Sequence, residues 1–331
     1  MSSAIKPDEA LRKYTRAAER AADRIIGTYS TSFGAATRLL EARHRVHVRN
    51  IYGLVRVADE LVDGAAAQAG VSTDQQLELL DLLERETAEA VGTGYSANPI
   101  VHAFAVTAVQ SGIDTSLTAP FFASMRMDLR RSVDTELFNG KPAGGYSTMV
   151  GYDRDEHAVY VYGSAEVIGL MCLMVFRRDE HYSDQELQLL ERGARSLGAA
   201  FQNVNFLRDL AEDTERLERS YLSKAASLTE TAKSEWIALI RAQLADAQAV
   251  LPLLPNDARA AVDCARRLFS RLTEKISRTP LEQLLVERVR ISDPAKAGLI
   301  VQSLLAATLK KPTSSLRTPR TPGMRIRTDR K

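Results

Sequence analysis

An all-α fold is predicted by three features of the sequence. Apolar residues recur at three- and four-residue spacing, alternating strand patterns are scarce, and alanine is abundant. Leu77, Leu80, Leu83, Ala90 and Val91 follow the helical spacing with Glu and Asp between them, and Leu187, Leu190, Ala194 and Leu197 follow it again. Breakers divide the helices at Gly64–Asp74, Gly92–Pro99, Ser111–Pro120, Asn139–Gly145, Arg177–Asp184, Pro252–Asp257, Arg278–Pro280 and Ser292–Pro294. Ser183, three residues before Glu186, reads as a capping box that opens a long helix, and Thr73 before Gln76 reads as a similar start. No interdomain linker stands out before the C-terminal tail, so one helical domain is expected over residues 1–309, followed by a tail at 310–331.

Composition narrows the class further. Hydrophobic residues make up 45% and charged residues 26%, which supports a sizeable core and argues against wholesale disorder. Cys172 and Cys264 are too few for a disulfide scaffold or a four-thiolate zinc site, and read as reduced core thiols of a cytoplasmic protein. No run reaches about 18 consecutive apolar residues, so no spanning helix is expected, and the opening MSSAIKPDEALRKY lacks the apolar centre of a signal peptide. The net charge of +2 is uneven: residues 310–331 carry eight basic side chains and one acidic, leaving the body acidic. The tail reads as a disordered basic extension, either a solubilising terminus or a means of peripheral contact with anionic membrane. Nucleic acid is not expected as a partner, because the body is acidic and has no basic-aromatic motif. The histidines at 44, 47, 102, 157 and 181 have no metal-ligand spacing with cysteine, and Gly92-Thr-Gly94 lacks the third glycine of a dinucleotide fingerprint.

Two acidic segments carry the chemistry. In Arg56-Val-Ala-Asp59-Glu60-Leu-Val-Asp63, the two aspartates stand four residues apart and point from one helical face. Like charges at that spacing repel, and Leu54, Val55, Val57, Leu61 and Val62 make the surroundings too apolar for an ordinary solvated face. In the second segment Asn205, Asp209 and Asp213 repeat the four-residue spacing over two turns. Oxygen ligands so placed suit magnesium, which bridges a few carboxylates to substrate phosphates. Either segment alone reads as helix-surface charge; the two together, in a helical protein, read as facing cation sites for a diphosphate.

With these motifs in hand, the chain resembles the squalene/phytoene synthase family, the head-to-head trans-prenyltransferases, and within it most resembles bacterial phytoene synthases. The resemblance runs from about Tyr29 to Lys296 and keeps an order of landmarks. These are Tyr29-Ser30-Thr31-Ser32-Phe33, Tyr52-x3-Arg56-x2-Asp59-x3-Asp63, Met127-Asp128, Tyr160-Val-Tyr162-Gly163-Ser-Ala165, and Gln202-x2-Asn205-x2-Arg208-Asp209-x2-Glu212-Asp213. It implies a helical isoprenoid-synthase fold around a central apolar cavity and condensation of two allylic diphosphates, geranylgeranyl diphosphate in a phytoene synthase. It also implies Mg²⁺, with Mn²⁺ as a substitute, held by Asp59, Asp63, Asn205, Asp209 and Asp213, and no NADPH for phytoene formation. A farnesyl-using squalene or dehydrosqualene synthase is the alternative within the class, and a non-catalytic helical assembly factor the alternative outside it.

Other residues take their expected roles from that resemblance. Arg56 and Arg208 stand beside the acidic motifs, where they would grip phosphate oxygens or form intrahelical ion pairs. Ser30 and Ser32 would donate to phosphate or cap a helix. Tyr52 and Gln202 complete the substrate-binding set. Phe33, Tyr160, Val161, Tyr162, Ile168 and Phe201 are candidate walls for a carbocation, with ordinary core packing as the alternative; Tyr160 coincides with a family tyrosine. Gly163 and Ala165 would permit close helix packing. Glu166 departs from the small residue usual in relatives, and either points out of the cavity or reaches a cation through water. Ser223 replaces the proline of an Arg-x-Tyr-x-Pro segment, and Phe269 stands where many relatives carry tyrosine. Phe33 and Thr37, one helical turn apart, are expected on one cavity face, where the small run Gly34–Thr37 leaves room for a twenty-carbon chain.

Overall fold

A computed structural model describes residues 7–138, 154–210, 229–290 and residue 303. Among them there are helices and turns and no strand, as the apolar spacing predicts. The breakers at Asn139–Gly145 and Ser292–Pro294, the segment holding Ser223, and the basic tail lie outside the described residues.

The chain opens with α1 (Pro7–Tyr29), short α2 (Thr31–Thr37) and α3 (Ala42–Val62). After one turn of helix, α4 (Ala65–Gln68), come α5 (Thr73–Thr93), α6 (Pro99–Ser111) and α7 (Thr115–Phe138). On α5, Leu80, Leu83 and Ala90 are buried, while Leu77 and Val91 pack on the same core from its margin. The capping box of α5 is one residue earlier than the sequence reading placed it: Ser72 accepts from the Gln75 amide and Gln75 returns a bond to the Ser72 amide. Both readings satisfy the Ser/Thr-x-x-Gln pattern, and the amide geometry selects the first. Gly92-Thr-Gly94 forms the end of this helix, with Gly94 at φ +75° supplying the left-handed cap. Pro120 does not break the chain; it lies inside α7, and its carbonyl accepts the Ser124 hydroxyl at 3.0 Å.

The most apolar helical stretch runs from α8 (Arg154–Val161) through a π-helical turn (Tyr162–Glu166) into α9 (Val167–Arg177). Its residues 155–177 have the length and hydropathy of a membrane span, which isolated residue runs did not reveal. Half of that window is buried, packed among α3, α7 and α10 (Asp184–Arg208), so the core accounts for its apolarity. Close approach requires glycine here: a Cβ on Gly163 would stand 2.2 Å from the Pro120 carbonyl oxygen, and one on Gly198 of α10 would stand 2.5 Å from that of Ala165. The expected Ser183–Glu186 capping box opens α10, with the Ser183 amide 2.8 Å from the Glu186 carboxylate. Helices α11 (Glu230–Val250), α12 (Asn256–Arg278) and α13 (Leu281–Leu284) complete the described chain; α11 packs along α10, and α12 reaches back to α2. Cys172 is half-buried and Cys264 buried, both as free thiols.

Candidate active site

A cavity of about 900 Å³ lies between α2, α3, the α8–α9 helix, α10, α11 and α12, within the range of small-molecule sites. Its mouth is polar and its depth apolar. Asp59, Asp63, Asn205 and Asp209 line it together with Tyr29, Arg56 and Arg208. Val48 of α3 and Leu190 of α10 line it further along those helices, joined by Ile168 and Phe176 of α9 and by Leu254.

Both acidic motifs end their helices. Asp63 is the C-cap of α3, its amide bonded to the Asp59 carbonyl at 2.8 Å, and Asp209 is the C-cap of α10, its amide bonded to the Asn205 carbonyl at 2.9 Å. The sequence reading set these aspartates within continuous helices; the chain leaves the helix at each of them. A helix C-terminus carries partial negative charge, so carboxylates there gain from a nearby cation. Burial, together with the negative charges of Asp63 and Glu60, pushes Asp59 up to about 7 against the opposing pull of Arg56. The Asn205 Oδ1 is buried without a hydrogen-bond partner among the described residues. Asp213 lies outside the described residues.

These atoms fit a hard divalent cation. All are oxygen donors, one of them orphaned and one carboxylate short of positive charge. No three acidic or imidazole side chains converge into a ready-made cage among the described residues.

Arginines hold the carboxylates. Arg56 pairs with Glu60, lies 4.0 Å from Asp59, and places its guanidinium 4.3 Å above the Tyr29 ring. Arg208 donates to Asp209 through Nε at 2.8 Å. Arg288, which the sequence reading missed, donates to the same carboxylate through Nε at 2.7 Å. It stands 79 residues from Asp209 in a segment without a recognisable pattern, so no local signal marked it.

The remaining expected residues divide. Ser30 caps α2 by accepting the Phe33 amide at 3.1 Å. The Ser32 side chain lies outside the described residues. Phe33 stacks on Tyr52 with ring centroids 5.6 Å apart, and both line the cavity. Gln202, Tyr160, Ile168 and Phe201 line it too, Phe201 stacked on Phe269 at 3.8 Å. Val161 and Tyr162 do not. Val161 is buried in a neighbouring cluster, and Tyr162 faces a separate groove, where Arg195 lies 5.3 Å from its ring. Glu166 shares that groove and bonds Arg195 at 2.6 Å, which resolves its orientation as outward. Phe33, Ala36, Thr37 and Leu40 all line the cavity, so one side of α2 and its C-terminal extension forms part of the wall. Cys172 also lines it, and burial pushes its thiol up to about 12, leaving it neutral.

The family model for squalene/phytoene synthase matches residues 26–294. The chain belongs to the squalene/phytoene synthase family. Family membership makes it a prenyltransferase-like synthase acting on prenyl diphosphates. It is 29% identical over 277 residues to a phytoene synthase of Arthrospira platensis, covering 77% of this chain and 82% of that protein. It is 28% identical over 273 residues to the 15-cis-phytoene synthase of Synechocystis, covering 76% and 74%. A solved dehydrosqualene synthase shares the helical fold at TM-score 0.70 and 20% identity, covering 91% of this chain and all of that one.

Proposed function

We propose that this family member is a phytoene synthase, joining two geranylgeranyl diphosphates head to head in carotenoid biosynthesis. The observation that carries the reading is a single cavity with carboxylates, an orphaned amide oxygen and arginines at one end and an apolar wall beyond. The curated relatives named as phytoene synthases support the choice of product.

Asp59, Asp63, Asn205, Asp209 and, from the sequence, Asp213 would hold Mg²⁺ or Mn²⁺. A bound divalent ion supplies Lewis-acid neutralisation of the departing diphosphate. Arg56 and Arg208 would add forked donors to phosphate oxygens. In the proposed course one substrate loses diphosphate to give an allylic cation, which alkylates the second substrate. The resulting cyclopropylcarbinyl diphosphate loses its own diphosphate, rearranges and gives up a proton, so two diphosphates leave and no NADPH is consumed. The faces of Phe33, Tyr52, Tyr160 and Phe201 would stabilise positive charge. The apolar wall would keep water from it, and the neutral Cys172 thiol offers no strong nucleophile. The basic tail would draw the protein to anionic membrane, where such apolar substrates and products reside.

The test is incubation of the purified chain and Mg²⁺ with geranylgeranyl or farnesyl diphosphate, with and without NADPH, followed by product mass analysis. A forty-carbon hydrocarbon formed without NADPH is expected. A thirty-carbon product would establish the farnesyl-using alternative, and no product from either substrate would favour the assembly-factor alternative.

A further inference from the structure

We infer that Arg208 and Arg288 form a clasp that occupies Asp209 before the divalent ion does, so that binding of the ion requires the clasp to open. The inference rests on the reading of Asp209 as a metal ligand. Its physical basis is separate. Arg208 contacts both oxygens of Asp209, through Nε to Oδ1 at 2.8 Å and through Nη2 to Oδ2. Arg288 does the same from across the cavity mouth, with Nε 2.7 Å from Oδ1 and Nη2 3.4 Å from Oδ2. Both carboxylate oxygens thus carry guanidinium donors, and a cation approaching either meets positive charge first.

The second arm of the clasp is anchored. Next to Arg288, Val289 is buried in the cluster that holds Tyr160, Leu207 and Ile276. One residue further, the Arg290 carbonyl accepts the Lys275 ammonium at 2.8 Å. Asp209 is tied to the end of α10 through the Asn205 carbonyl. Two elements far apart in sequence are therefore pinned so that their side chains meet at one carboxylate. The same side chains line the cavity, where a diphosphate offers a second anion for the guanidiniums to move onto. Arg288 is then a positioning residue: it keeps Asp209 neutralised and oriented until metal and diphosphate arrive together.

The experiment measures Mn²⁺ affinity of the full-length protein without substrate, by the loss of the free-ion paramagnetic resonance signal. Circular dichroism checks the fold of each variant. Arg288→Gln is expected to bind Mn²⁺ at least about fivefold more tightly than the unaltered chain, the lower end of usual coupling between competing equilibria. Arg288→Lys keeps the charge but loses the fork, and is expected to fall between the two; affinity equal to that of the unaltered chain would mean that charge alone acts, and would overturn the clasp. Asp209→Asn separates the premises. Weakened Mn²⁺ binding in Asp209→Asn with no gain in Arg288→Gln would overturn the clasp and leave Asp209 a ligand. Unchanged Mn²⁺ binding in Asp209→Asn would overturn the ligand reading, and the clasp inference with it.

Discussion

The Tyr160 hydroxyl donates to Asp128 Oδ2 at 2.8 Å, with both residues almost wholly buried. This bond joins α8 to α7 inside the core, while Tyr160 also lines the cavity. Tyr160→Phe keeps the ring and removes the donor. It is expected to cost about 1–3 kcal/mol, the usual penalty for disturbing a buried polar pair. A lower melting temperature, with turnover reduced less than in Tyr160→Ala, is the expected result; an unchanged melting temperature would show that the bond contributes nothing.

Asp59→Ala and Asp209→Ala should each lower turnover by at least about a hundredfold, since changing residues that merely support metal ligands already costs about 10–100-fold. Helicity should be retained, because both aspartates lie at or near helix ends rather than in the packed core. Product formation and far-ultraviolet circular dichroism measure the two effects. Near-normal activity in both variants would remove the metal assignment.

Thr37 is buried in the cavity wall one turn from Phe33. Thr37→Phe places a ring where a chain must pass, and overpacking of this kind costs about 1–3 kcal/mol. Turnover of geranylgeranyl diphosphate should fall further than turnover of farnesyl diphosphate. Equal losses on the two substrates would move the chain-length limit elsewhere.

Acid should destabilise the fold through two histidines. Burial pulls His47 and His157 down to about 4, with Arg178 adding to the effect at His47 and the neighbouring Asn203 side chain opposing it at His157. Unfolded, each takes up a proton near pH 6.5, whereas folded each resists until about pH 4. Between those values the unfolded state binds more protons, so stability falls as pH falls. Melting temperature should decline across that window, and His47→Gln/His157→Gln should flatten the decline; an unaltered slope would assign the acid sensitivity to other groups.

What could be read in advance follows from the range of the interactions. The Ser183–Glu186 box and the leucine spacing of α5 are local and appear directly in the order of residues. The shift from Thr73 to Ser72 shows that a pattern satisfied twice in succession needs backbone geometry to decide it. Tyr160 and Tyr162 look equivalent as wall residues, yet the first faces the cavity and the second a different groove, because which way a helical residue points depends on its neighbours in space. Arg288 has no local signal for the same reason: it lies beyond α13, and its partner Asp209 caps the distant end of α10.

The π-helical turn at Tyr162–Glu166 has a consequence for how this cavity can vary. Tyr160, Ser164, Ile168, Cys172 and Phe176 all reach the cavity at an unbroken four-residue spacing. In a regular helix each such step overshoots a full turn by about 40°, and the stripe would wind away from the cavity over that length. The wider turn takes back part of that drift. It accommodates about one residue more than a regular turn, so deleting one residue from Tyr162–Glu166 would restore an ordinary helix and leave Cys172 and Phe176 facing the cavity. The same deletion within the regular turns of α9 has no such slack, and would rotate everything after it by about 100°. This turn is thus the place in the wall where the helix can change length without remodelling what lies beyond it.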